Sequence, residues 1–406
     1  ASRCICGVLR PGEMDFGNPP WQPRGDLQAA ADASAAERAP PRDASGLPEE
    51  RPQQPRAASG PGLGGIAGQR ASPSASMVAI MESQVEEMRR LLLRFKVCST
   101  PQPGMAGDVG MPPTYARPSA ADPSVALPPH ADILVFGPSG SGKSSLIRTF
   151  YMALHKTQQV PGDFAERIIV KDTAMNEGTL KYVSAVVKSG KSDSRGSGTS
   201  AIVCHDTRGH IWMDEREQKQ LGIIMDGHVK DDSLVQQRNY RYARLLWEFW
   251  KRDVDLFPPE IMLKRNGLTS QPHALLFVFD GSMDDVPDGE EETKFYKEII
   301  QMARTKGYLY PQVVLTRIDR VEEKLIRASG ASADPADTEL RLRQVLDKKI
   351  EDIVMKLDVS RTSVHFIENY HQGGVYDEGR NVSVDFHALK ILTQCCSHAD
   401  AFIAQH

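Results

Sequence analysis

Residues 137–145 constrain this chain more than any other stretch, because they read Gly-Pro-Ser-Gly-Ser-Gly-Lys-Ser-Ser and match the pattern G-x-x-x-x-G-K-[ST] at every position. Such a loop must connect a buried strand to the start of a helix. An apolar run at 133–136 precedes it, and helically spaced apolar residues begin at Leu146. The sequence therefore predicts a phosphate-binding loop. The alternative is a Gly/Ser-rich turn that only connects two elements.

The residue types in this loop suit phosphate chemistry. Glycines let backbone N–H groups curl around a phosphate, and the start of the following helix adds its positive dipole end. Lys143 is expected to reach the β- and γ-phosphates of a nucleotide, and Ser144 to ligate Mg²⁺. The predicted nucleotide contacts in the loop are Gly137, Pro138, Ser139, Gly140, Ser141, Gly142, Lys143, Ser144 and Ser145.

A second motif, D-x-x-G, follows the predicted strand at 200–205. Asp206 is predicted to hold the Mg²⁺ shell through water, and the Gly209 N–H to sense a γ-phosphate. The motif is short, and an acidic turn after a strand is the alternative. Its position after a phosphate-binding loop in the same sheet favours the nucleotide role.

A third motif at 316–319, Thr-Arg-Ile-Asp, fits the base-recognition pattern [NT]-K-x-D except that Arg317 replaces lysine. A carboxylate at Asp319 can accept hydrogen bonds from N1–H and the exocyclic amine of guanine, a pair of donors that adenine lacks. Arg317 can stack its guanidinium on the purine. Thr316, Arg317 and Asp319 are therefore predicted base contacts, with a plain strand-end turn as the alternative.

Two further residues complete the candidate catalytic set, which also contains Lys143. Thr179 is predicted to close on Mg²⁺ and the γ-phosphate as a switch threonine, although spacing also admits Thr173 and Thr199. His210 follows Gly209 where GTPases carry a water-orienting side chain, and a solvent-facing histidine is the alternative. The loop at 368–370 occupies the place of a base-packing segment, but it lacks the usual Ser-Ala signature and no site residue is assigned in it.

From Asp132 onward, short apolar runs alternate with helical patterns. This alternation predicts an α/β domain at 130–406 with a P-loop NTPase (G-domain) three-layer fold, in which helices flank a mainly parallel central sheet. Predicted strands cover 133–136, 180–187, 200–205, 273–280, 312–316 and 363–367. Predicted helices cover 143–156, 215–228, 233–252, 290–306, 336–358 and 384–404.

The residues before this domain divide into three parts. An Ala/Pro/Gly/Arg-rich arm at 1–76 has few large aliphatic residues and is predicted to be disordered, and a Pro-rich linker is predicted at 99–129. Between them, the apolar residues of 77–98 step by three and four, as in a coiled-coil seam. This helix spans fewer than three heptads, so it either pairs two chains through residues 77–97 or docks on its own domain.

Composition narrows the choice of partners. The net charge is −4 and no stretch has a sustained Lys/Arg excess, which argues against nucleic acid or an anionic membrane as the principal partner. The longest apolar runs are strand-sized, so no transmembrane segment is expected, and peripheral membrane contact is left open. The six cysteines lack metal-ligand spacing, and a reducing cytoplasmic location is expected.

Five segments of the chain are similar to those of a known family. They are 133–145, 178–182, 206–209, 224–229 and 277–280. Through them the chain resembles the interferon-induced protein 44 family of GTPase-like proteins over about residues 130–405. The resemblance implies a dynamin-superfamily-like G domain, guanine nucleotide binding, a cytoplasmic location, an immune role and self-association, and it gives Thr179 the role of switch threonine.

These observations predict a GTP-binding protein that hydrolyses GTP slowly with Mg²⁺ and serves as a switch or a nucleotide-dependent assembly module. Its expected ligands are GTP or GDP and Mg²⁺, and a homodimer could form through the G domain or the helix at 77–97. One alternative is a P-loop ATPase or kinase. The other is an interaction scaffold that binds nucleotide without turnover.

Overall fold

The computed structural model of this chain describes residues 75–98, 127–168, 181–191, 198–207, 209, 213–234, 257–264, 266–329, 335–370 and 380–406. Several sequence-based expectations lie outside these residues. They are the arm up to residue 74, most of the linker, Thr173, Thr179, His210 and all but the first two residues of the helix predicted at 233–252.

Within the described residues, one sheet contains seven strands. They are His130–Phe136 (β1), Lys181–Lys188 (β2), Ala201–Asp206 (β3), Ser233–Leu234 (β4), Ala274–Asp280 (β5), Gln312–Thr316 (β6) and Val364–Phe366 (β7). Their order in the sheet is β4-β2-β3-β1-β5-β6-β7. The strands β3, β1, β5, β6 and β7 are parallel neighbours, whereas β2 runs antiparallel to both β3 and β4.

Both faces of this sheet are covered by helices. The helices are Ala75–Leu93 (α1), Lys143–His155 (α2), Gly162–Arg167 (α3), Glu215–Met225 (α4), Gly289–Thr305 (α5), Ile318–Ser329 (α6), Pro335–Leu357 (α7) and Val382–Gln405 (α8). Alternate residues of β1 enter different cores: Ile133 packs with α2 and α8, and Leu134 packs with α4, α5 and α7. The predicted three-layer α/β architecture with a mainly parallel sheet is confirmed. No helix in the described part of the chain is long and apolar enough to cross a membrane.

Two predicted helices differ from the structure. The helix predicted at 215–228 ends at Met225, because Gly227 takes a left-handed φ of +70° and packs so closely that a Cβ would lie 2.6 Å from the Ser270 carbonyl oxygen. In the helix predicted at 233–252, the first two residues instead form β4, which pairs with β2. Both differences come from contacts with residues distant in sequence.

The amphipathic helix α1 packs against α8 of the same chain. Its Val85 and Leu92 are 4% and 2% exposed and belong to the core on the α2/α8 face of the sheet. After the helix, the Ser200 N–H donates to the Phe95 carbonyl oxygen at 3.0 Å, and the Val97 N–H donates to Ser200 Oγ at 3.0 Å. Two residues of the predicted seam, Val85 and Leu92, are therefore buried within one chain, and Met88 and Phe95 are partly buried against the same core, as in the docked-helix alternative.

This burial predicts that Leu92→Asp lowers the free energy of unfolding by about 3–5 kcal/mol, since it removes a buried leucine and places a charge in an apolar core. Chemical denaturation of the full chain measures the change. The matched control is Leu93→Asp, because Leu93 is the next residue of α1 and is 43% exposed. Equal stability of both variants would contradict the docking of α1, and a change only in oligomeric state would favour the seam between chains.

Candidate functional site

The loop that leads from β1 into α2 has the backbone shape that its glycines allow. Gly140 and Gly142 have left-handed φ angles of +77° and +90°, and Gly142 is the N-cap residue of α2. Gly137 lies so near β5 that a Cβ would be 2.1 Å from the Val278 carbonyl oxygen. The loop therefore presents backbone N–H groups at the start of α2, the arrangement that binds phosphate.

Lys143 places its charge inside this loop. Its side chain is buried, and its Nζ donates to the carbonyl oxygens of Gly137 at 3.1 Å and of Pro138 at 2.8 Å. Burial lowers the pKa of Lys143 to about 8, an effect that the nearby Asp206 carboxylate partly opposes. The amine is thus still mainly protonated at neutral pH, as an anion-binding group must be.

A hydroxyl and a carboxylate meet next to the loop. Ser144 Oγ donates to Asp206 Oδ2 at 2.5 Å, and Asp206 is fully buried at the end of β3. The pair forms because β1 and β3 are parallel neighbours whose carboxyl ends share one edge. Mg²⁺ in nucleotide sites commonly takes one or two protein oxygens and completes its shell with waters and phosphates, so this donor set fits it.

The D-x-x-G motif lies against the phosphate loop. Thr207 Oγ1 donates to the Val135 carbonyl oxygen at 3.0 Å, which holds the start of the motif beside β1. A Cβ on Gly209 would lie 2.4 Å from Ser139 Cα, a distance that no side chain permits. Glycine is therefore required at position 209 for this close approach of two backbones.

The motif at 316–319 is joined to the same loop by two side chains. Thr316 Oγ1 donates to the Ser141 carbonyl oxygen at 2.7 Å, and Arg317 Nη2 donates to the Gly140 carbonyl oxygen at 2.6 Å. Arg317 Nη1 also pairs with Asp280 Oδ2 at 2.5 Å. The guanidinium that was predicted to stack on a purine is thus hydrogen-bonded to the phosphate loop, with Asp280 orienting it. Asp319 is half-buried in the first turn of α6.

The loop after β7 reaches the same place, although sequence reasoning assigned no site residue to it. Asn369 is 5% exposed, and its Nδ2 donates to the Gly142 carbonyl oxygen at 3.3 Å. A Cβ on Gly142 would lie 3.1 Å from Asn369 Nδ2 and 3.2 Å from Thr316 Oγ1. Three loops therefore meet at Gly142.

Two polar residues of this site, Asp280 and Asn369, were missed from the sequence. A signal for them existed, because Asp280 ends β5 and Asn369 lies three residues after β7. The same rule that points to Asp206, a polar side chain where a parallel strand ends, applies to both.

Thr199, one of the alternative candidates for the switch threonine, lies far from the site. Thr199 forms an isolated bridge with Lys191 just before β3 begins, whereas Asp206 ends that strand. At about 3.3 Å per residue, Thr199 lies roughly 20 Å from the phosphate-loop edge of the sheet. This position excludes Thr199 as a group that closes on the phosphates.

The predicted loop residue Ser145 lies in the first turn of α2, and its carbonyl oxygen accepts a hydrogen bond from Thr149 Oγ1 at 2.9 Å.

The strand order and the loops together define the class of fold. A phosphate loop follows the central strand β1, and polar loops follow its parallel neighbours β3, β5, β6 and β7 at the same edge, with β2 antiparallel beside β3. This is an α/β P-loop fold of the G-domain type.

Comparison with known proteins gives distant structural likenesses only. The chain matches no protein-family model, and no curated protein matches it at a significant level. One similar solved structure belongs to work on dimerization and GTPase activity of the chloroplast translocon components atToc33 and psToc159. It is 15% identical, covers 67% of this chain and 84% of that chain, and has a TM-score of 0.33.

Two further structures are of Toc33 from Arabidopsis thaliana. The complex with Mg²⁺ and GMPPNP is 13% identical, covers 68% of this chain and 85% of that chain, and has a TM-score of 0.32. The complex with GDP and Mg²⁺ is 14% identical, covers 67% and 84%, and has a TM-score of 0.31. With TM-scores this low, the class of fold rests on the strand order and loop geometry of this chain.

Proposed function

We propose that this chain binds guanine nucleotide together with Mg²⁺ at the edge of the sheet where β1, β3, β5, β6 and β7 end. The observation that carries the proposal is the meeting of three loops at Gly142, which Asn369 Nδ2 and Thr316 Oγ1 both approach closely. One loop suits phosphates, and the other two stand where a base would be held.

The roles of the residues follow from their positions. Lys143 binds the β- and γ-phosphates, and the loop N–H groups and the start of α2 complete the phosphate site. Ser144 and Asp206 hold Mg²⁺, which when bound neutralises charge on the phosphates. Asp319 accepts hydrogen bonds from guanine, and Arg317 fixes the turn that carries Asp319 against Gly140.

We further propose slow hydrolysis of GTP. Phosphoryl transfer depends mainly on positioning and on electrostatic stabilisation, and Lys143 and Ser144 supply both beside the backbone of Gly209. In this proposal Thr179 closes on Mg²⁺ and the γ-phosphate, and His210 orients the attacking water. The chain acts as a switch or assembly module in the cytoplasm, as a member of the interferon-induced protein 44 family that self-associates through its G domain and has an immune role.

Calorimetric titration of the full chain with GTP, GDP and ATP, each with and without Mg²⁺, tests the proposal. We expect GTP and GDP to bind, GTP to depend on Mg²⁺, and ATP to bind at least about a hundred times more weakly. Preference for ATP would overturn it in favour of an ATPase or kinase. Tight GTP binding with no phosphate release in a single-turnover assay would favour the scaffold alternative.

The Mg²⁺ part of the proposal predicts a selective effect of Ser144→Asn. The asparagine amide can donate to Asp206 but replaces the hydroxyl oxygen that would ligate the metal, so affinity for GTP should fall about tenfold or more and affinity for GDP much less. Titrations with both nucleotides measure the difference. Repeating them in EDTA is the control, and a GTP defect of the same size without Mg²⁺ would contradict the metal role.

A further inference from the structure

A buried arginine of α1 joins three helices. Arg89 is 4% exposed, its Nε donates to the Ala153 carbonyl oxygen near the end of α2 at 3.0 Å, and its Nη2 pairs with Asp385 Oδ2 of α8 at 3.3 Å. The next residue, Arg90, is exposed and pairs with Glu87, one turn earlier in α1, at 2.7 Å. Arg89 therefore connects α1 to the rest of the domain, whereas the exposed Arg90 makes a contact within α1.

The partner of Arg89 is itself buried and shared. Asp385 lies in the first turn of α8 and is 2% exposed. Its carboxylate also accepts a hydrogen bond from the Tyr370 hydroxyl at 2.9 Å and forms an ion pair with Arg380. A buried carboxylate is stable only with such partners. Through Asp385, the helix α1 is therefore connected to the loop that follows β7.

That loop in turn holds the phosphate loop. The Tyr370 backbone N–H donates to Thr149 Oγ1 of α2 at 3.0 Å, and the neighbouring Asn369 donates to the Gly142 carbonyl oxygen at 3.3 Å. A path of polar contacts, completed by the peptide bond between Asn369 and Tyr370, thus runs from Arg89 through Asp385 to Gly142.

We propose that Arg89 and Tyr370 are positioning residues for the nucleotide site, so that docking of α1 and binding of the guanine base stabilise each other. The proposal rests on the proposed function. Its physical basis is that Asn369 and Tyr370, which are already held by Asp385, Thr149 and Gly142, need less ordering when nucleotide binds. By linkage, bound nucleotide must then stabilise the docked α1 to the same degree.

The proposal predicts a defect confined to the base end of the nucleotide. Asn369 and Thr316 of the base-recognition turn both approach Gly142 at the α2 end of the phosphate loop, whereas the Lys143 ammonium group donates to the carbonyl oxygens of Gly137 and Pro138 at the β1 end of that loop. Loosening the loop should therefore weaken recognition of the base and leave the phosphate contacts in place.

Two test variants are made in the full chain: Tyr370→Phe, which removes one hydroxyl, and Arg89→Met. They are compared with the wild type and with the control variant Arg90→Met. Affinities for GTP and for inorganic triphosphate are measured with Mg²⁺, and hydrogen exchange of the α1 amides is followed with and without GTP. We expect both test variants to lose roughly tenfold in GTP affinity, the scale of one buried hydrogen bond, and to keep triphosphate affinity. GTP should slow α1 exchange in the wild type and in Arg90→Met, and much less in Tyr370→Phe.

The outcomes separate this inference from the proposed function. If wild-type chain fails to bind GTP, the proposed function falls and the inference falls with it. If the wild type binds GTP while Tyr370→Phe keeps its GTP affinity and its α1 protection, only the inference is wrong. Equal losses for GTP and triphosphate would show a merely structural role and also overturn it. Should Arg89→Met fail to fold, Tyr370→Phe decides the matter.

Discussion

Replacing Lys143 with alanine is expected to abolish nucleotide binding, lowering affinity by about a hundredfold or more, because removing one partner of a buried charged contact costs about 3–5 kcal/mol. Lys143 is the first residue of α2, and its ammonium group lies within the phosphate loop, where it donates to the carbonyl oxygens of Gly137 and Pro138. Binding of GTP and GDP by calorimetry measures the loss.

The chain offers a matched control for this variant. Lys349 of α7 is half-buried and likewise donates to two consecutive backbone carbonyl oxygens, those of Met283 and Asp284, in a different loop. Burial lowers the pKa of Lys349 as it does that of Lys143. Lys349→Ala should keep full GTP affinity. If Lys143→Ala binds GTP as the wild type does, or if both variants lose it equally, the phosphate-loop role of Lys143 is wrong.

Most of the parallel strands could be predicted closely from the sequence because they are buried on both faces. Such strands form continuous apolar runs, so β6 was predicted at its observed bounds of Gln312–Thr316, and β5 differs by one residue. The prediction for β1 began three residues late because it excluded a polar residue. Asp132 is nevertheless buried in the strand, since His130 and His205 pair with its carboxylate at 2.7 and 2.9 Å.

Other features depend on contacts that no local pattern contains. The helix α6 is an exception, because its apolar residues Ile318, Val321 and Leu325 step by three and four and gave a helical signal that the prediction passed over. The sequence also could not show that Arg317 would reach Gly140, or that Asn369 would touch the N-cap of α2. Residues that follow parallel strands could be assigned to one edge, but their pairing there is set by the packing of the whole sheet.

Asp319→Asn is expected to change the nucleotide preference of the chain from GTP towards XTP. If Asp319 accepts two hydrogen bonds from guanine, asparagine turns one acceptor into an unmatched donor, and a buried polar mismatch of this kind costs about 1–3 kcal/mol or more. GTP affinity should then fall at least about tenfold. Xanthine presents a carbonyl where guanine has its amine, so the asparagine amide can donate to it and affinity for XTP should rise.

The control variant is Asp337→Asn, which makes the same substitution at the start of another helix. Asp337 lies in the first turn of α7, as Asp319 lies in the first turn of α6, and is exposed beside Arg341. Asp337→Asn should therefore leave the affinities for GTP, XTP and ATP unchanged. A change in base preference in this variant as well would point to a general effect of charge.

The dissociation constants of GTP, XTP and ATP for wild-type chain and Asp319→Asn, measured side by side with Mg²⁺, test guanine recognition most directly. The predicted result is a wild type that prefers GTP over XTP and ATP, and a variant that loses GTP affinity while it gains XTP affinity. A wild type that prefers ATP, or a variant that keeps GTP and gains nothing for XTP, would show that residues 316–319 are only a turn and would contradict the assignment of this site to guanine nucleotides.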